Sequence, residues 1–390
     1  MTGRAVAAIP VPLFDLHEQH DALAAELDAA LRSVTDSQRF ILGPEVRELE
    51  EAVAERLGVR HAVGCASGTD ALLLVLRDLA SRHGVSGPMS PSGDTPEVVI
   101  PAFTFFATAG AVWNAGLRPA FCDIDEETFN ATAHTIGARV SARTVMAIPV
   151  HLFGQMAEVE RIRGALDVAL FLLEDGAQAT GARRRVGTVE VPAGMYGDAA
   201  ALSFFPTKNL GAFGDAGMIT TNDNGLADRL RKLRVHGGQK MYHHEFVGTN
   251  SRLDTLQAAV LLAKLPHLDG WLDARRRNAA LYDELLADVE PVRTPVVAEG
   301  SWHTYNQYTI RAERRGELRA GLAEQGIGTG VYYPAPLHLQ PCFRTLGYAP
   351  GDFPVAERLC GEVLSLPIYP ELGEERVRLV AGAIRRFYKA

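Results

Sequence analysis

Three short segments hold residue types that could do chemistry. The first is Ser67-Gly68-Thr69-Asp70. It follows an apolar run and opens a helical pattern, so the chain turns at Gly68 and presents backbone N–H groups at a positive helix end. That arrangement suits a phosphate, and the Thr69 hydroxyl adds a donor. An ordinary N-cap turn has the same spelling. The second is Phe171–Gln178 (FLLEDGAQ), where an apolar strand delivers Glu174 and Asp175 at its carboxyl end. A carboxylate there could pair with a cationic ring nitrogen, although Asp-Gly is also a common turn pair. The third is Ser203–Gly211 (SFFPTKNLG), in which Lys208 is the one charged residue between Asp198 and Asp215. Burial disfavours an ammonium and lowers its pKa, the condition for a Schiff-base lysine. A surface lysine is the bland alternative.

The order of the three segments adds to each of them. A phosphate turn, a strand-end Asp and a buried Lys on one sheet are what pyridoxal phosphate requires: N–H donors for its phosphate, a carboxylate for its pyridine nitrogen and an amine for its aldehyde. Other chemistries lack their spelling. No Gly-Lys-Ser/Thr occurs, no G-x-S-x-G nucleophile elbow, and no G-x-G-x-x-G after the first strand. His236, His243 and His244, with Glu245, match no zinc spacing, so no metal is expected. Cys65, Cys122, Cys342 and Cys360 form no C-x-x-C pair, which suits a reduced, cytoplasmic protein.

The elements that must position these residues follow from periodicity. Leu23, Leu27, Ala30 and Leu31 line one face of a helix over His17–Val34. A second helix starts at Gly43-Pro44, carries Val46, Leu49, Val53 and Leu57, and stops at Gly58. A strand at His61–Cys65 then leads into a helix over Asp70–Ala80. Further strands are predicted at Val98–Ile100, Ala120–Ile124, Val145–Val150, Ala169–Glu174, Ala200–Ser203 and Met218–Thr221. Helices between them fall at Phe106–Ala115, Thr135–Val140, Met156–Leu166 and Leu226–Leu233. Such alternation with apolar strands implies an α/β fold, a mostly parallel sheet sandwiched by helices, with ligands at the carboxyl ends of its strands. The alternation ends near Thr249. Arg252–Leu286 reads as helix kinked at Pro266, and short strands follow at Gln307–Arg311 and Gly330–Tyr333. We therefore expect a large domain over residues 15–250 and a smaller α+β domain over 251–390, joined by residues 1–14. Gly84–Pro96 reads as a surface loop. The basic runs Arg183–Arg185 and Arg275–Arg277 read as solvated faces.

Composition bounds the function class. At 390 residues the chain can bury about 75% of the surface its unfolded form exposes, so it needs neither disulfides nor a structural metal. Lys plus Arg number 39 against 47 Asp plus Glu, a formal charge of −8, which argues against nucleic-acid binding. Apolar runs such as Ala71–Leu76 are far shorter than the ~20 residues that span a bilayer. Met1–Val11 is too short and too weakly charged for a signal peptide.

The motifs together resemble the DegT/StrS-type sugar aminotransferases, pyridoxal-phosphate enzymes of the aspartate aminotransferase fold. The resemblance runs from Pro12–Asp15 (PLFD) and Phe40–Glu45 (FILGPE) to Leu364–Pro367 (LSLP). It includes Ser67–Leu72 (SGTDAL), Pro101–Thr108 (PAFTFFAT), His151–Gln155 (HLFGQ), Glu174–Ala179 (EDGAQA), Ser203–Gly211 and Asn250–Ala258 (NSRLDTLQA). Gly176 stands where the family often has Ala. The resemblance implies that Lys208 bonds the cofactor aldehyde and that Gly68, Thr69 and Ser203 hold its phosphate. It further implies that Phe105 stacks on the ring, Asp175 pairs with the ring nitrogen and Gln178 contacts the ring hydroxyl. Asn250 would reach the phosphate of a neighbouring subunit, making the active unit a homodimer.

The implied activity moves nitrogen from L-glutamate to a keto sugar on a nucleotide. Met241–Asp254 and Tyr332–Gln340 look most like members that aminate the 3-keto position, on UDP-linked uronic acids or dTDP-linked 6-deoxy sugars. Amination at the 4-keto position is the alternative. Arg252, His338 and Tyr333 are candidates for contacting sugar or pyrophosphate, Arg252 being equally readable as a structural residue at a helix start. A dehydratase on the same fold would replace Lys208, typically with His, and a non-catalytic regulator would not need the full set of polar groups.

Overall fold

A computed structural model describes residues 11–85, 95–167, 169–238, 240 and 242–389. The N-terminal segment up to residue 10 and most of the loop expected at Gly84–Pro96 lie outside the described residues. Two helices open the chain, α1 (His17–Ser37) and α2 (Pro44–Leu57). As the sequence suggests, Pro44 occupies the first turn of α2 and Gly58 stops it at φ 65°. The alternating region follows: β1 (His61–Cys65), α3 (Gly68–Arg82), β2 (Glu97–Pro101), α4 (Phe106–Asn114), β3 (Arg118–Cys122), α5 (Ala133–Gly137), β4 (Thr144–Ala147), α6 (Val159–Ala165) and β5 (Phe171–Asp175). Next come β6 (Arg183–Val186), β7 (Val189–Pro192), β8 (Ala199–Ser203), β9 (Gly217–Thr221) and α7 (Asn224–Leu233).

Seven strands form one sheet in the order β1-β9-β8-β5-β4-β2-β3. Every neighbouring pair is parallel except those made by β9, which runs antiparallel to both β1 and β8. Central strands such as β2, β8 and β9 are buried along their whole length. Burial on both faces is why they spell as continuous apolar runs rather than alternating ones. Leu72, Leu76, Val98, Ile100 and Ile219 pack on one face, and Val46, Leu49, Leu202 and Met218 share a second cluster. Because β8 turns back directly into β9, the loop carrying Lys208 lies at the carboxyl edge of the parallel strands.

The predicted kink at Pro266 divides the long helical stretch into α8 (Thr255–Lys264) and α9 (Leu268–Leu286), joined by one 3-10 turn. A second, antiparallel sheet follows, with β12 (Tyr308–Ala312) between β10 (Val292–Arg293) and β13 (Val363–Leu366), and α10 (Arg315–Glu324), α11 (Pro354–Glu362) and α12 (Gly373–Lys389) complete the chain. β11 (Ser301–Trp302) pairs with β6. Ala258, Leu261, Leu268 and Leu272 belong to the core under the large sheet, whereas Ala279, Tyr282 and Leu286 belong to that of the small one. The change from one core to the other therefore lies inside α9.

Three sequence expectations need correction. Gly330–Tyr333 is not a strand; only Gly330 pairs, through a single bridge to Ser365 of β13. Arg183–Arg185 is not a solvated face but strand β6 of a hairpin. Its middle residue, Arg184, is 4% exposed and bonds Glu158 at 2.7 Å and Glu160 at 2.9 Å. Arg275 is likewise buried and donates to the carbonyls of Tyr305 and Ile368. Strand alternation turns Arg184 inward, and helical spacing puts Arg275 on the buried face of α9 with Leu272 and Ala279, so each basic run hides one buried Arg.

Candidate active site

The carboxyl ends of β1, β8, β5, β4 and β2 meet along one edge of the sheet, and the three segments singled out above converge there. β5 ends in Glu174 and Asp175, which point to opposite faces as successive strand residues must. Asp175 is 5% exposed. Its Oδ2 accepts the Thr108 hydroxyl at 2.8 Å, and its Oδ1 accepts the Ala177 N–H at 3.2 Å. Burial pushes its carboxyl pKa up, against the hydrogen bonds from Thr108 and Ala177 and the charge of Lys208.

Glu174 faces the other way and is fully enclosed. Its Oε2 accepts from His151 at 2.7 Å and from the Gly194 N–H, and its Oε1 accepts from the N–H groups of Tyr196 and Gly197. Burial alone would raise this carboxyl, but those donors prevail and hold it below the ordinary glutamate value. His151 Nδ1 accepts the Ala157 N–H at 3.2 Å, so the ring proton sits on Nε2, aimed at Glu174. The His151 backbone N–H meets the Asp175 carbonyl at 3.0 Å. The pair thus pins the end of β5 from behind.

Lys208 sits half-buried in the loop between β8 and β9, with its backbone N–H on the Phe205 carbonyl at 2.8 Å. The protein around the ammonium pushes it down to about 8, opposed by the charge of Asp175. The two groups thus interact electrostatically at the ends of the neighbouring strands β5 and β8. At the start of α3, Ser67 caps the Asp70 N–H with its hydroxyl at 3.1 Å. The earlier N–H groups, of Gly68 and Thr69, have no intrahelical partner by construction of a helix end. A Cβ on Gly68 would fall 2.6 Å from the Ser203 Cβ, so glycine alone lets Ser203 close against this turn.

The remaining predicted residues divide. Gln178 accepts the Phe153 N–H at 2.6 Å and donates to the Tyr333 hydroxyl at 3.1 Å. Phe105 precedes α4, is 56% exposed, and its ring lies 6.2 Å from that of Tyr333. Ser251 binds Asp70 in the first turn of α3 at 2.8 Å, which brings the segment holding Asn250 and Arg252 to the turn at Ser67–Asp70. Asn250 is exposed and Arg252 half-buried. His338 does not join them. It is 2% exposed, boxed by Phe121, Tyr348 and Phe353, and bonded to Glu357 at 3.1 Å, so it presents no face to a sugar. Among the described residues, no three metal-binding side chains converge, and no helix is long and apolar enough to cross a membrane.

The sequence assigns no role to Thr108 or His151, and offers Glu174 only as one of two strand-end carboxylates for a ring nitrogen. They were quoted inside motifs, but only the folded contacts distinguish them from neighbouring polar residues. The site fits pyridoxal phosphate on one direct observation: Asp175 is a buried carboxylate that forms no ion pair among the described residues. A cationic ring nitrogen is the partner that such a group lacks.

Comparison with known proteins agrees. The DegT/DnrJ/EryC1/StrS aminotransferase family matches residues 21–385. The chain belongs to this family. A Geobacillus stearothermophilus protein named pleiotropic regulatory protein is 48% identical over 97% of this chain and 99% of its own length. UDP-N-acetyl-3-dehydro-alpha-D-glucosamine 3-aminotransferase of Acidithiobacillus ferrooxidans is 43% identical over 96% and 97%. The crystal structure of S. venezuelae DesV in complex with a ketimine intermediate superposes with a TM-score of 0.91 at 40% identity, covering 98% of this chain and 99% of that one. The chain is thus an aminotransferase with the α/β fold of the pyridoxal-phosphate-dependent transferases, as its motifs imply, and one structural neighbour, ntda from Bacillus subtilis, 27% identical with a TM-score of 0.86, carries the bound cofactor PMP.

Proposed function

We propose that this aminotransferase binds pyridoxal phosphate through Lys208 and moves the amino group of L-glutamate onto the 3-keto position of a nucleotide-linked sugar. The observation that carries the reading is the apposition of Lys208, lowered to about 8, and the buried Asp175 at neighbouring strand ends. The 3-keto preference is supported by the names of relatives, including the 43% identical enzyme above and a 41% identical dTDP-3-amino-3,4,6-trideoxy-alpha-D-glucose transaminase.

Bound pyridoxal phosphate supplies an aldehyde to carry the migrating nitrogen and a protonated ring to take up the electron pair released at the substrate carbon. The chain supplies the rest. Gly68, Thr69 and Ser203 hold the phosphate at the positive end of α3. Asp175, whose ionised form the Thr108 hydrogen bond favours, would hold the ring nitrogen protonated. Phe105 covers the ring, and Gln178 orients it from the side braced by Tyr333. Lys208 Nζ, partly neutral near pH 8, takes a proton at the substrate carbon and returns it. Arg252 lies where it can meet a phosphate or carboxylate of the substrate. In the homodimer this reading includes, Asn250 reaches the partner's phosphate. A non-catalytic regulator would have no use for an amine tuned in this way.

The deciding experiment is an amination assay with L-glutamate across UDP- and dTDP-linked 3-keto and 4-keto sugars, the new C–N bond being located by NMR. Glutamate should also bleach the visible absorbance of the holoprotein. A protein that takes up no pyridoxal phosphate, or one that aminates only 4-keto sugars, would overturn the reading at the corresponding level.

A further inference from the structure

The loop that carries Lys208 is gripped from beneath by one face of α8. Gln257 and Lys264 are seven residues apart, two helical turns, and so share that face. Gln257 holds the backbone of Phe213 at both polar groups: its Oε1 accepts the Phe213 N–H at 2.8 Å and its Nε2 donates to the Phe213 carbonyl at 3.3 Å. Lys264 is 2% exposed, and its Nζ donates to the Gly211 carbonyl at 2.9 Å. The same ammonium lies 4.9 Å from the centre of the Phe213 ring. Between these two points Leu261 packs in one cluster with Leu210, Ala212 and Ala216.

The loop itself has little slack. The Ala212 N–H closes it on the Phe204 carbonyl at 2.8 Å. A Cβ on Gly211 would fall 2.3 Å from the Pro206 oxygen, so the chain doubles back tightly around Lys208. A buried lysine is a costly way to hold one carbonyl. Burial brings its amine down to about 8, and the nearby Glu371 carboxylate only partly offsets this. An apolar residue would fill the space without that cost. The ammonium and the glutamine amide give what packing alone does not: directional bonds at two fixed points of the loop.

We propose that Gln257 and Lys264 are positioning residues, a two-point clamp on α8 that fixes the loop bearing Lys208 and so sets where its amine stands relative to Asp175. The inference rests on the reading of Lys208 as the amine that binds the cofactor. Neither clamp residue touches the reacting atoms; both act through the backbone of Gly211 and Phe213.

The test compares Lys264→Met, Gln257→Leu and the control Leu261→Ala, which removes packing from the same face but no bond to the loop. Each purified holoprotein is followed for thermal stability, for steady-state kinetics with glutamate, and for the absorbance of the bound cofactor as a function of pH. Both clamp variants should lose about 10- to 100-fold in kcat, the usual penalty for misplacing a reacting group by about an ångström, with little change in glutamate KM. Their absorbance titration should move by about one pH unit, because the separation of Lys208 from the charge of Asp175 changes. The control should lose thermal stability yet keep both values. Clamp variants that behave like the control would show that the residues merely hold the fold together and would overturn the proposal. Should Lys264→Met fail to fold, Gln257→Leu, at a half-buried position, carries the same readouts. Borohydride reduction of the wild-type holoprotein separates the two levels. A pyridoxyl group fixed on another residue refutes the role of Lys208; one fixed on Lys208, with unchanged clamp variants, refutes the clamp alone.

Discussion

Thr108 donates its hydroxyl hydrogen to Asp175 Oδ2 over 2.8 Å, joining the first turn of α4 to the end of a strand two places away in the sheet. Thr108 is wholly buried, so no water can replace it. A hydrogen bond to an ionised group contributes about 1.5–3 kcal/mol. Thr108→Val keeps the shape and removes the donor, so the Asp175 carboxyl should rise further and hold a cationic ring nitrogen less well. We expect cofactor affinity to fall about tenfold, since 1.4 kcal/mol is a factor of ten. Thr108→Ser should restore it. A fluorescence titration that finds equal affinity in the valine variant would remove the Thr108 bond from the account.

The two adjacent carboxylates of β5 should respond in opposite ways. Asp175→Asn removes the proposed ring-nitrogen partner and should cost about 10²- to 10³-fold in kcat, the scale on which a preorganised electrostatic contact is lost. It should leave thermal stability unchanged or raised, because a buried charge with no ion-pair partner has gone. Glu174→Gln should do the reverse, lowering stability by about 1.5–3 kcal/mol, the scale for a hydrogen bond to a charged group. The pH dependence follows from direction. Glu174 titrates below its ordinary value of 4.5 in the folded protein. Its contribution is therefore present above that value and is lost as pH falls through the lower folded pKa. The stability gap between wild type and Glu174→Gln, measured by denaturant melts, should narrow at acid pH; a gap that widened there would contradict the pairing.

Lys208 should show its environment in solution. Only the neutral amine attacks an aldehyde, and its fraction rises with pH around a midpoint of about 8 rather than the ordinary lysine value. The rate at which the cofactor-free protein takes up pyridoxal phosphate should therefore climb through that pH. A midpoint above 10, in the ordinary lysine range, would deny the depressed value. Lys208→Ala should abolish turnover with the fold intact, read by circular dichroism; normal transamination by that variant would displace Lys208 from its role.

Strand and helix periodicity made the large sheet legible in the sequence, because strands buried on both faces spell as unbroken apolar runs. His61–Cys65 was placed to the residue. The second sheet was harder to read. β13 is a short apolar segment after α11, and its partner strand β12 lies more than fifty residues away in sequence. Nothing local distinguishes it from Gly330–Tyr333, which pairs at one residue only. At the site, residues with a chemical signature of their own could be picked out, as Lys208 was by its lack of charged neighbours. Thr108, Gln257 and Lys264 act through contacts across 40 or more positions of sequence, which no local pattern reports.

His338 tests the same distinction from the other side. Its place in the Tyr332–Gln340 segment suggested a sugar contact, yet the ring is enclosed by three aromatics and bonded to Glu357. Burial lowers its pKa, partly countered by Glu357. Glu357 also accepts the N–H groups of Gly351 and Phe353, so the ring braces the turn that opens α11. His338→Phe keeps the aromatic packing and removes one hydrogen bond to a carboxylate. We expect a loss of about 1–3 kcal/mol in a denaturant melt and no change in KM for the sugar. Tyr333→Phe should do the opposite: it strips the acceptor from Gln178 Nε2 inside the site and should alter sugar or cofactor affinity with little change in stability. If His338→Phe instead raised the sugar KM at unchanged stability, the residue would have to leave its aromatic box when substrate binds.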